Sequence, residues 1–187
     1  IATILRNQQI SDAVQRLLAR EGLILGICNG FQALIKSGLL PYGEICSLTN
    51  QSPTLTYNLI GRHISRVVPT KIVNNQSPWL SSFEIGAVKQ IAMSHGEGRL
   101  IISPELYQEL ALNGQIACQY SDLDGQATFD PYFNPNGSDY AIEALTSLDG
   151  RVLGKMGHSE RMGQDLYKNI VGDKQQDIFT NGVNYFK

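Results

Sequence analysis

The side chain best suited to nucleophilic chemistry in this sequence is Cys28, which stands between two glycines. Gly26, Cys28 and Gly30 form a Gly-x-Cys-x-Gly pattern that follows a short apolar run and precedes a helical pattern. A nucleophile at such a strand-to-helix turn forms an elbow, with sulfur here in the place of serine oxygen. We expect the helix N-terminus to lower the pKa of the thiol and the Asn29 N–H to stabilise an oxyanion. The alternative interpretation is a buried structural cysteine.

A general base and a carboxylate that could orient it are spaced two residues apart, at His158 and Glu160. Residues i and i+2 of an extended segment project to the same side. The Glu160 carboxylate could therefore fix the tautomer of the imidazole while the ring faces Cys28. An exposed histidine beside a surface glutamate is the alternative. A metal site is not favoured, because no further set of ligands converges on this pair.

The other histidines and cysteines carry weaker signals. His63 lies between Arg62 and Arg66 in an alternating segment, which indicates a solvated basic face. Cys46 and Cys118 have no elbow around them, and we interpret both as structural. Three cysteines at these spacings indicate neither a disulfide framework nor a zinc site, which favours a reducing, cytoplasmic location.

Hydrophobic periodicity predicts the elements that must position these side chains. The predicted elements are a helix at 11–20 capped by Ser11 or Asp12, a buried strand at 23–27, a helix at 31–37, alternating strands within 55–73, a helix at 106–112, a strand at 116–120, a hairpin at 141–156 and a terminal helix or segment at 177–187. Their order predicts an α/β fold with a mostly parallel sheet, flanking helices and an antiparallel insertion. Because such a sheet normally opens with a strand, we expect the first strand to be missing.

Composition excludes several classes of protein. The 187 residues carry 15 basic and 17 acidic side chains, a net charge of −2, so no nucleic-acid partner is expected. No apolar run is long enough to span a membrane, and the N-terminus does not have the pattern of a signal peptide. Charged residues make up 17% against about 25% in typical domains. We therefore expect part of the surface to face protein, and the chain, which begins at Ile1, to be cut from a longer one.

Several stretches of the sequence resemble one known family. Residues 26–32 match the G-x-C-x-G-x-Q nucleophile motif of class I glutamine amidotransferases, and residues 157–161 resemble their His-x-Glu segment. Within that class, the C-N-G-F-Q core and residues 94–99 are similar to the glutaminase of phosphoribosylformylglycinamidine synthase, an enzyme of purine biosynthesis. Residues 134–138 and 149–154 fit the same family. The resemblance covers essentially the whole chain.

The resemblance implies a flavodoxin-like fold, with residues 1–187 as one glutamine amidotransferase domain that is incomplete at its N-terminus. It implies hydrolysis of glutamine to glutamate and ammonia by a triad of Cys28, His158 and Glu160. The residues that it implies for the oxyanion and the substrate are Asn29, Gln32, His95 and Gly96. A structural histidine in a glycine-rich turn remains the alternative for His95.

The resemblance also implies a partner. Ammonia would pass to a synthetase, fused or separate, that converts formylglycinamide ribonucleotide to formylglycinamidine ribonucleotide with ATP and magnesium. This chain has no G-x-x-x-x-G-K-[ST] motif, so we expect no cofactor in this domain. No membrane partner is expected. Residues 178–187 are more similar to the end of the fused form.

The sequence departs from the family pattern in two places. The family more often has proline on both sides of its catalytic histidine, where this chain has Gly157 and Ser159, and we expect a looser segment with His158 and Glu160 still in place. A strand and a glycine-rich loop that carries a second oxyanion N–H are absent, which leaves an inactive docking fragment as one alternative. The other is a cysteine hydrolase of the same fold with a different substrate, such as a peptidase. Gln32 and residues 94–99 argue against it.

Overall fold

A computed structural model describes residues 1–187, which form six helices and eight strands. In chain order the elements are α1 (Ala2–Leu5), α2 (Gln8–Ala19), β1 (Ile24–Ile27), α3 (Asn29–Ser37), a short α4 (Leu39–Tyr42), β2 (Thr54–Tyr57), β3 (Ile64–Ile72), β4 (Val88–His95), β5 (Glu97–Ile101), α5 (Pro104–Leu112), β6 (Ile116–Tyr120), β7 (Ile142–Thr146), β8 (Val152–Lys155) and α6 (Ile178–Asn184). Short 3-10 turns lie at Pro78–Leu80 and Asp139–Ala141. None of the helices is both long and apolar enough to cross a bilayer.

Six strands form the main sheet in the order β1-β8-β7-β6-β3-β4, and β2 pairs with β5 in a separate small sheet. The α/β class is confirmed. Only β1 and β8 run parallel, whereas the other neighbouring pairs of the main sheet are antiparallel. The sheet is therefore more mixed than the sequence pattern predicts. Local connectivity is one cause, because the short link between β7 and β8 is long enough only for an antiparallel pair.

The sheet is covered on both faces, as the alternation of neighbouring side chains shows. On β8, Val152 packs into the larger apolar cluster with Phe31 and Ile35 of α3. The next residue, Leu153, packs into a smaller cluster that includes Ile178 of α6. The predicted terminal helix therefore docks on the core, and its Asn181 donates a hydrogen bond from Nδ2 to the Trp79 carbonyl at 3.0 Å.

Two local predictions have different outcomes. The Asp-Gly hairpin is confirmed, because β7 and β8 pair antiparallel around a turn in which Gly150 has φ of 72°. The helix start at Ser11 or Asp12 is wrong, because α2 begins at Gln8 and Asn7 is its cap. The Asn7 side chain accepts the Gln9 N–H at 3.1 Å. Ile10 continues the apolar period of Ala13, Val14 and Leu17, so the pattern begins before Ser11 and the predicted start was too late.

The polypeptide passes from the main sheet to the small one at Gly96. β4 ends at His95 and β5 begins at Glu97, so a single residue joins the two sheets. Asn58, which follows β2, fixes this junction: its N–H donates to the Gly96 carbonyl at 2.9 Å and its Nδ2 to the His95 carbonyl at 2.8 Å. This junction forms one wall of the candidate site.

Candidate active site

Cys28 occupies a strained turn between β1 and α3. Its φ is 53° and its ψ is −105°, a conformation that is unusual for a residue with a side chain. Such strain persists only where the surroundings enforce it, and it is concentrated at functional sites. The Cys28 N–H donates to the Lys155 carbonyl at 2.8 Å, which continues the β1–β8 pairing and fixes the turn. The geometry is that of the elbow predicted from the sequence.

The two glycines of the elbow are not equivalent. A Cβ at Gly26 would lie 2.5 Å from Leu34 Cδ1 and 2.7 Å from the Gly30 carbonyl carbon, so glycine is needed where α3 packs on β1. A Cβ at Gly30 would meet nothing within 4 Å. Only Gly26 is therefore required by the packing of the turn, and Gly30 presents open space beside the nucleophile.

The predicted lowering of the thiol pKa does not occur. Burial raises the pKa of the Cys28 thiol above its ordinary value, and the Asn29 N–H and the Arg161 guanidinium offset this only in part. The thiol contacts the Ser94 carbonyl, with the sulfur 3.9 Å from the oxygen. In the free protein the thiol is thus mainly protonated at neutral pH, and a base must remove its proton.

His158 and Glu160 pair as the spacing predicts. Glu160 Oε1 lies 2.5 Å from His158 Nδ1, which leaves Nε2 as the ring nitrogen available for proton transfer. That Nε2 is buried and has no hydrogen-bond partner. His158 belongs to a segment just beyond β8, and its backbone N–H donates to the Ala92 carbonyl of β4 at 2.8 Å. The imidazole is buried, so the alternative of an exposed histidine is wrong.

The segment around His158 is tied to the core on both sides, in place of the expected looseness. The Gly157 N–H donates to Glu143 Oε1 at 2.6 Å. The Ser159 hydroxyl donates to Gln176 Oε1 at 2.5 Å. Hydrogen bonds thus restrain a segment that has no prolines.

A cavity of about 540 Å³ opens beside Cys28. It gathers the four other residues that the resemblance implies for substrate or oxyanion contact: Asn29, Gln32, His95 and Gly96. The Gln32 side chain donates from Nε2 to the Glu97 carbonyl at 2.6 Å, so its amide oxygen remains free of that bond. His158 and Glu160 do not line this cavity. They lie in the segment just beyond β8, and His158 Nε2 makes no hydrogen bond to the thiol. The Glu160 charge is the smallest of the contributions to the raised pKa of Cys28.

Six cavity residues were not singled out as site residues by the sequence. These are Tyr57, Gly61, Arg62, His63, Ser94 and Glu97. His63 precedes β3 rather than lying within it, and its Nε2 is 3.5 Å from the Ser94 hydroxyl. The interpretation of His63 as part of a solvated basic face is therefore incomplete, because the residue is exposed yet forms part of the cavity rim. No local signal distinguishes a loop that lines a cavity from one that does not.

His95 is a buried histidine held by its neighbours. Its Nδ1 lies 3.0 Å from Asn58 Oδ1, and its Nε2 has no partner. A Cβ at Gly98 would lie 2.5 Å from the His95 ring, so this glycine makes room for it. Burial lowers the pKa of His95 to about 4, with smaller contributions from the positive charges of His158 and His63. These contacts favour the structural interpretation, and a substrate contact remains a prediction.

His95 should make the fold sensitive to acid. Its pKa of about 4 in the fold lies below the value of about 6.5 in an unfolded chain. The neutral form is therefore favoured by folding, and its contribution to stability is complete above pH 6.5 and lost as the pH falls towards 4. We expect this residue to account for about 3 kcal/mol of the loss.

Urea unfolding of His95→Asn at pH 7 and pH 4 measures this contribution. Asparagine can still donate to Asn58 from the place of Nδ1, but it does not titrate. The variant should lose less free energy of unfolding than the natural chain over that interval. An equal loss in both proteins would show that His95 is not the responsible group.

The motif at 134–138 supports the cavity wall from behind. Asn136 Nδ2 donates to the Gly98 carbonyl at 2.8 Å, and the Leu100 N–H donates to the Ser138 hydroxyl at 3.1 Å. These contacts hold β5, which carries the carbonyl that binds Gln32. No group of three or more His, Cys, Asp or Glu side chains is arranged to hold a metal ion.

Comparison with known proteins shows the family to which the chain belongs. A family model described as a CobB/CobQ-like glutamine amidotransferase domain matches residues 1–186. The phosphoribosylformylglycinamidine synthase subunit PurQ of Salinibacter ruber is 34% identical over 182 residues, which cover 97% of this chain and 71% of the relative. The chain belongs to the PurQ family of glutamine amidotransferases. The PurQ subunit of Gloeobacter violaceus is 36% identical over 177 residues, covering 90% of this chain and 71% of the relative.

A solved structure agrees with membership of the PurQ family. The structure of PurLQS from Thermotoga maritima matches with a TM-score of 0.70 and 28% identity, over 100% of this chain and 72% of that chain. As a PurQ-family member, the chain is a glutamine amidotransferase of phosphoribosylformylglycinamidine synthase. A cysteine hydrolase with an unrelated substrate does not agree with this family.

Proposed function

We propose that Cys28, His158 and Glu160 form the triad with which this chain hydrolyses glutamine to glutamate and ammonia. The observation that carries the proposal is the strained turn at Cys28, which places a thiol at the edge of a cavity beside the N-terminus of α3. The His158–Glu160 pair supplies a base whose outer nitrogen is free. Membership of a glutamine amidotransferase family supports glutamine as the substrate.

In the proposed reaction, His158 Nε2 takes the proton of the Cys28 thiol, and the thiolate attacks the amide carbon of glutamine. The Asn29 N–H stabilises the oxyanion. The protonated His158 then gives its proton to the leaving ammonia as the C–N bond breaks. In the second half His158 takes a proton from water, hydroxide attacks the thioester, and the released thiolate is protonated again. Glu160 stabilises the imidazolium in both halves.

The cavity offers groups suited to the rest of the glutamine molecule. Free glutamine carries one carboxylate and one ammonium, and the cavity is lined by Arg62 and Glu97, which have the complementary charges. Gln32 would contact the substrate through its amide oxygen, because its amide nitrogen is bound to the Glu97 carbonyl. His95 and Gly96 would form the wall opposite the nucleophile. These roles are part of the proposal.

The released ammonia would be used by a synthetase partner. We propose that this partner holds the ATP and magnesium and converts formylglycinamide ribonucleotide to formylglycinamidine ribonucleotide, in the cytoplasm. The relatives are named as subunits of that synthase, and the solved relative is described as a PurLQS structure, which supports a multi-component enzyme.

A diazoketone analogue of glutamine tests the proposal directly. The full-length protein, with its synthetase partner present, should be alkylated at Cys28, and excess glutamine should slow the labelling. Peptide mapping by mass spectrometry would locate the adduct. Labelling of Cys46 instead, or labelling that glutamine does not slow, would contradict the assignment. An inactive docking fragment would give no labelling at all.

A further inference from the structure

Lys155 is a charged side chain in the centre of the protein. It ends β8, it is 1% exposed, and its Nζ lies 3.5 Å from Glu143 Oε1 on the neighbouring strand β7. Glu143 is fully buried as well. A buried ion pair is seldom a net gain in stability, because both charges lose their hydration. A gain in stability therefore does not explain why this ion pair is buried in the core.

The other contacts of this ion pair are with the segment that carries His158. The Lys155 ammonium donates to the Gly157 carbonyl at 3.4 Å and to the Ser159 hydroxyl at 3.0 Å. Glu143 Oε1 accepts the Gly157 N–H at 2.6 Å. The residues on both sides of His158 are thus bound by one buried cluster of charges.

The same residue also holds the nucleophile. The Lys155 carbonyl accepts the Cys28 N–H at 2.8 Å. Its backbone therefore contacts the residue that carries the thiol, while its ammonium contacts the segment that carries the base. We propose that Lys155 is a positioning residue that sets His158 against Cys28, with Glu143 and Ser159 as the partners through which it acts. This inference rests on the triad proposed above.

The cluster also reaches the chain beyond the site. Gln176 Oε1 accepts from the Lys155 ammonium at 3.2 Å and from the Ser159 hydroxyl at 2.5 Å. Gln176 is itself buried and precedes α6. The His158 segment is therefore held from β7, from β8 and from the return segment before α6. Outside this cluster, the backbone N–H of His158 donates to the Ala92 carbonyl, and its imidazole contacts the half-exposed Glu160.

Replacement of Lys155 by methionine separates positioning from binding. Methionine has a similar length and is apolar, so Lys155→Met removes the ammonium with little change in volume. The value of kcat for glutamine hydrolysis should fall about 10- to 100-fold, because a misplaced base costs rate. The KM for glutamine should stay within about threefold, because the cavity residues are not touched. Lys168→Met, at an exposed lysine paired with Asp165, is the matched control and should leave both constants unchanged.

A loss of folding must be separated from a loss of positioning. The rates are therefore expressed per folded molecule, with the folded fraction measured by circular dichroism at the assay temperature. The double variant Glu143→Gln with Lys155→Met removes the unpaired charge and keeps an acceptor for the Gly157 N–H. It should fold and still show the reduced kcat.

If both of those variants fail to fold, Ser159→Ala tests whether the cluster positions His158. It deletes one hydroxyl and should lower kcat about 3- to 10-fold with KM unchanged. Ser81→Ala, which removes an exposed hydroxyl far from the cluster in sequence, is its control.

A folded Lys155→Met or Ser159→Ala protein with the kcat of the natural chain would overturn the proposal, as would a rise in KM alone. The proposal of the triad would be contradicted by a different result, namely that Cys28→Ser still hydrolyses glutamine at the natural rate. The two proposals can thus fail independently.

Discussion

Replacement of Cys28 by serine is expected to lower the rate of glutamine hydrolysis by about 10⁴-fold or more. A hydroxyl is similar in size to a thiol, so the elbow and the cavity should persist. However, the hydroxyl is far less acidic, and His158 would have to generate an alkoxide in place of a thiolate. Release of ammonia from glutamine, assayed with the synthetase partner present, measures the effect.

Cys46→Ser is the matched control for this replacement. Cys46 is also a partly exposed free thiol, but it lies outside the cavity. Its variant should retain the activity of the natural chain. If Cys28→Ser keeps a tenth or more of the activity, Cys28 is not the nucleophile. A loss of activity in Cys46→Ser equal to that in Cys28→Ser would indicate a general effect on the fold.

The second large effect is expected at His158. His158→Asn removes the base and should lower kcat about 10²- to 10⁴-fold, with the KM for glutamine changed by less than about threefold. The burial of the thiol strengthens this expectation, because burial raises the pKa of Cys28 and leaves the resting thiol protonated. Steady-state kinetics with glutamine measures both constants.

Glu160→Gln should have a smaller effect than His158→Asn. The Glu160 side chain is 43% exposed, so water can partly replace its stabilisation of the imidazolium, and we expect a loss of about 10- to 100-fold. Glu109→Gln, an exposed position on α5, is the control. An effect of Glu160→Gln no larger than that control would show that the carboxylate does not orient the base.

Those parts of the site that depend on local signals were predictable from the sequence. The turn at Cys28 follows from a nucleophile between glycines after an apolar run, and the structure has the strained backbone that such a turn requires. The contact of His158 with Glu160 follows from their spacing. The β7–β8 hairpin follows from Asp149 and Gly150. In each case the residues that determine the geometry are adjacent in the chain.

The parts that depend on distant pairing were not predictable from the sequence. Nothing near β3 shows that it lies between β4 and β6, because that register is set by residues far apart in the chain. The cavity residues Tyr57, at the end of β2, and Arg62, in the loop that follows, carry no signal of their own in the sequence. Lys155 offered one clue, since a lysine at the end of an apolar strand needs a buried partner. That partner, Glu143, could be identified only from the fold.

The protonated state of Cys28 also has a consequence for oxidative damage. Peroxides react with the thiolate rather than with the thiol. Because burial raises the pKa of Cys28, the resting protein presents little thiolate to an oxidant. The reactive anion would form mainly once glutamine fills the cavity and blocks access to the sulfur. The elbow would therefore protect the proposed nucleophile from sulfenic acid formation between turnovers.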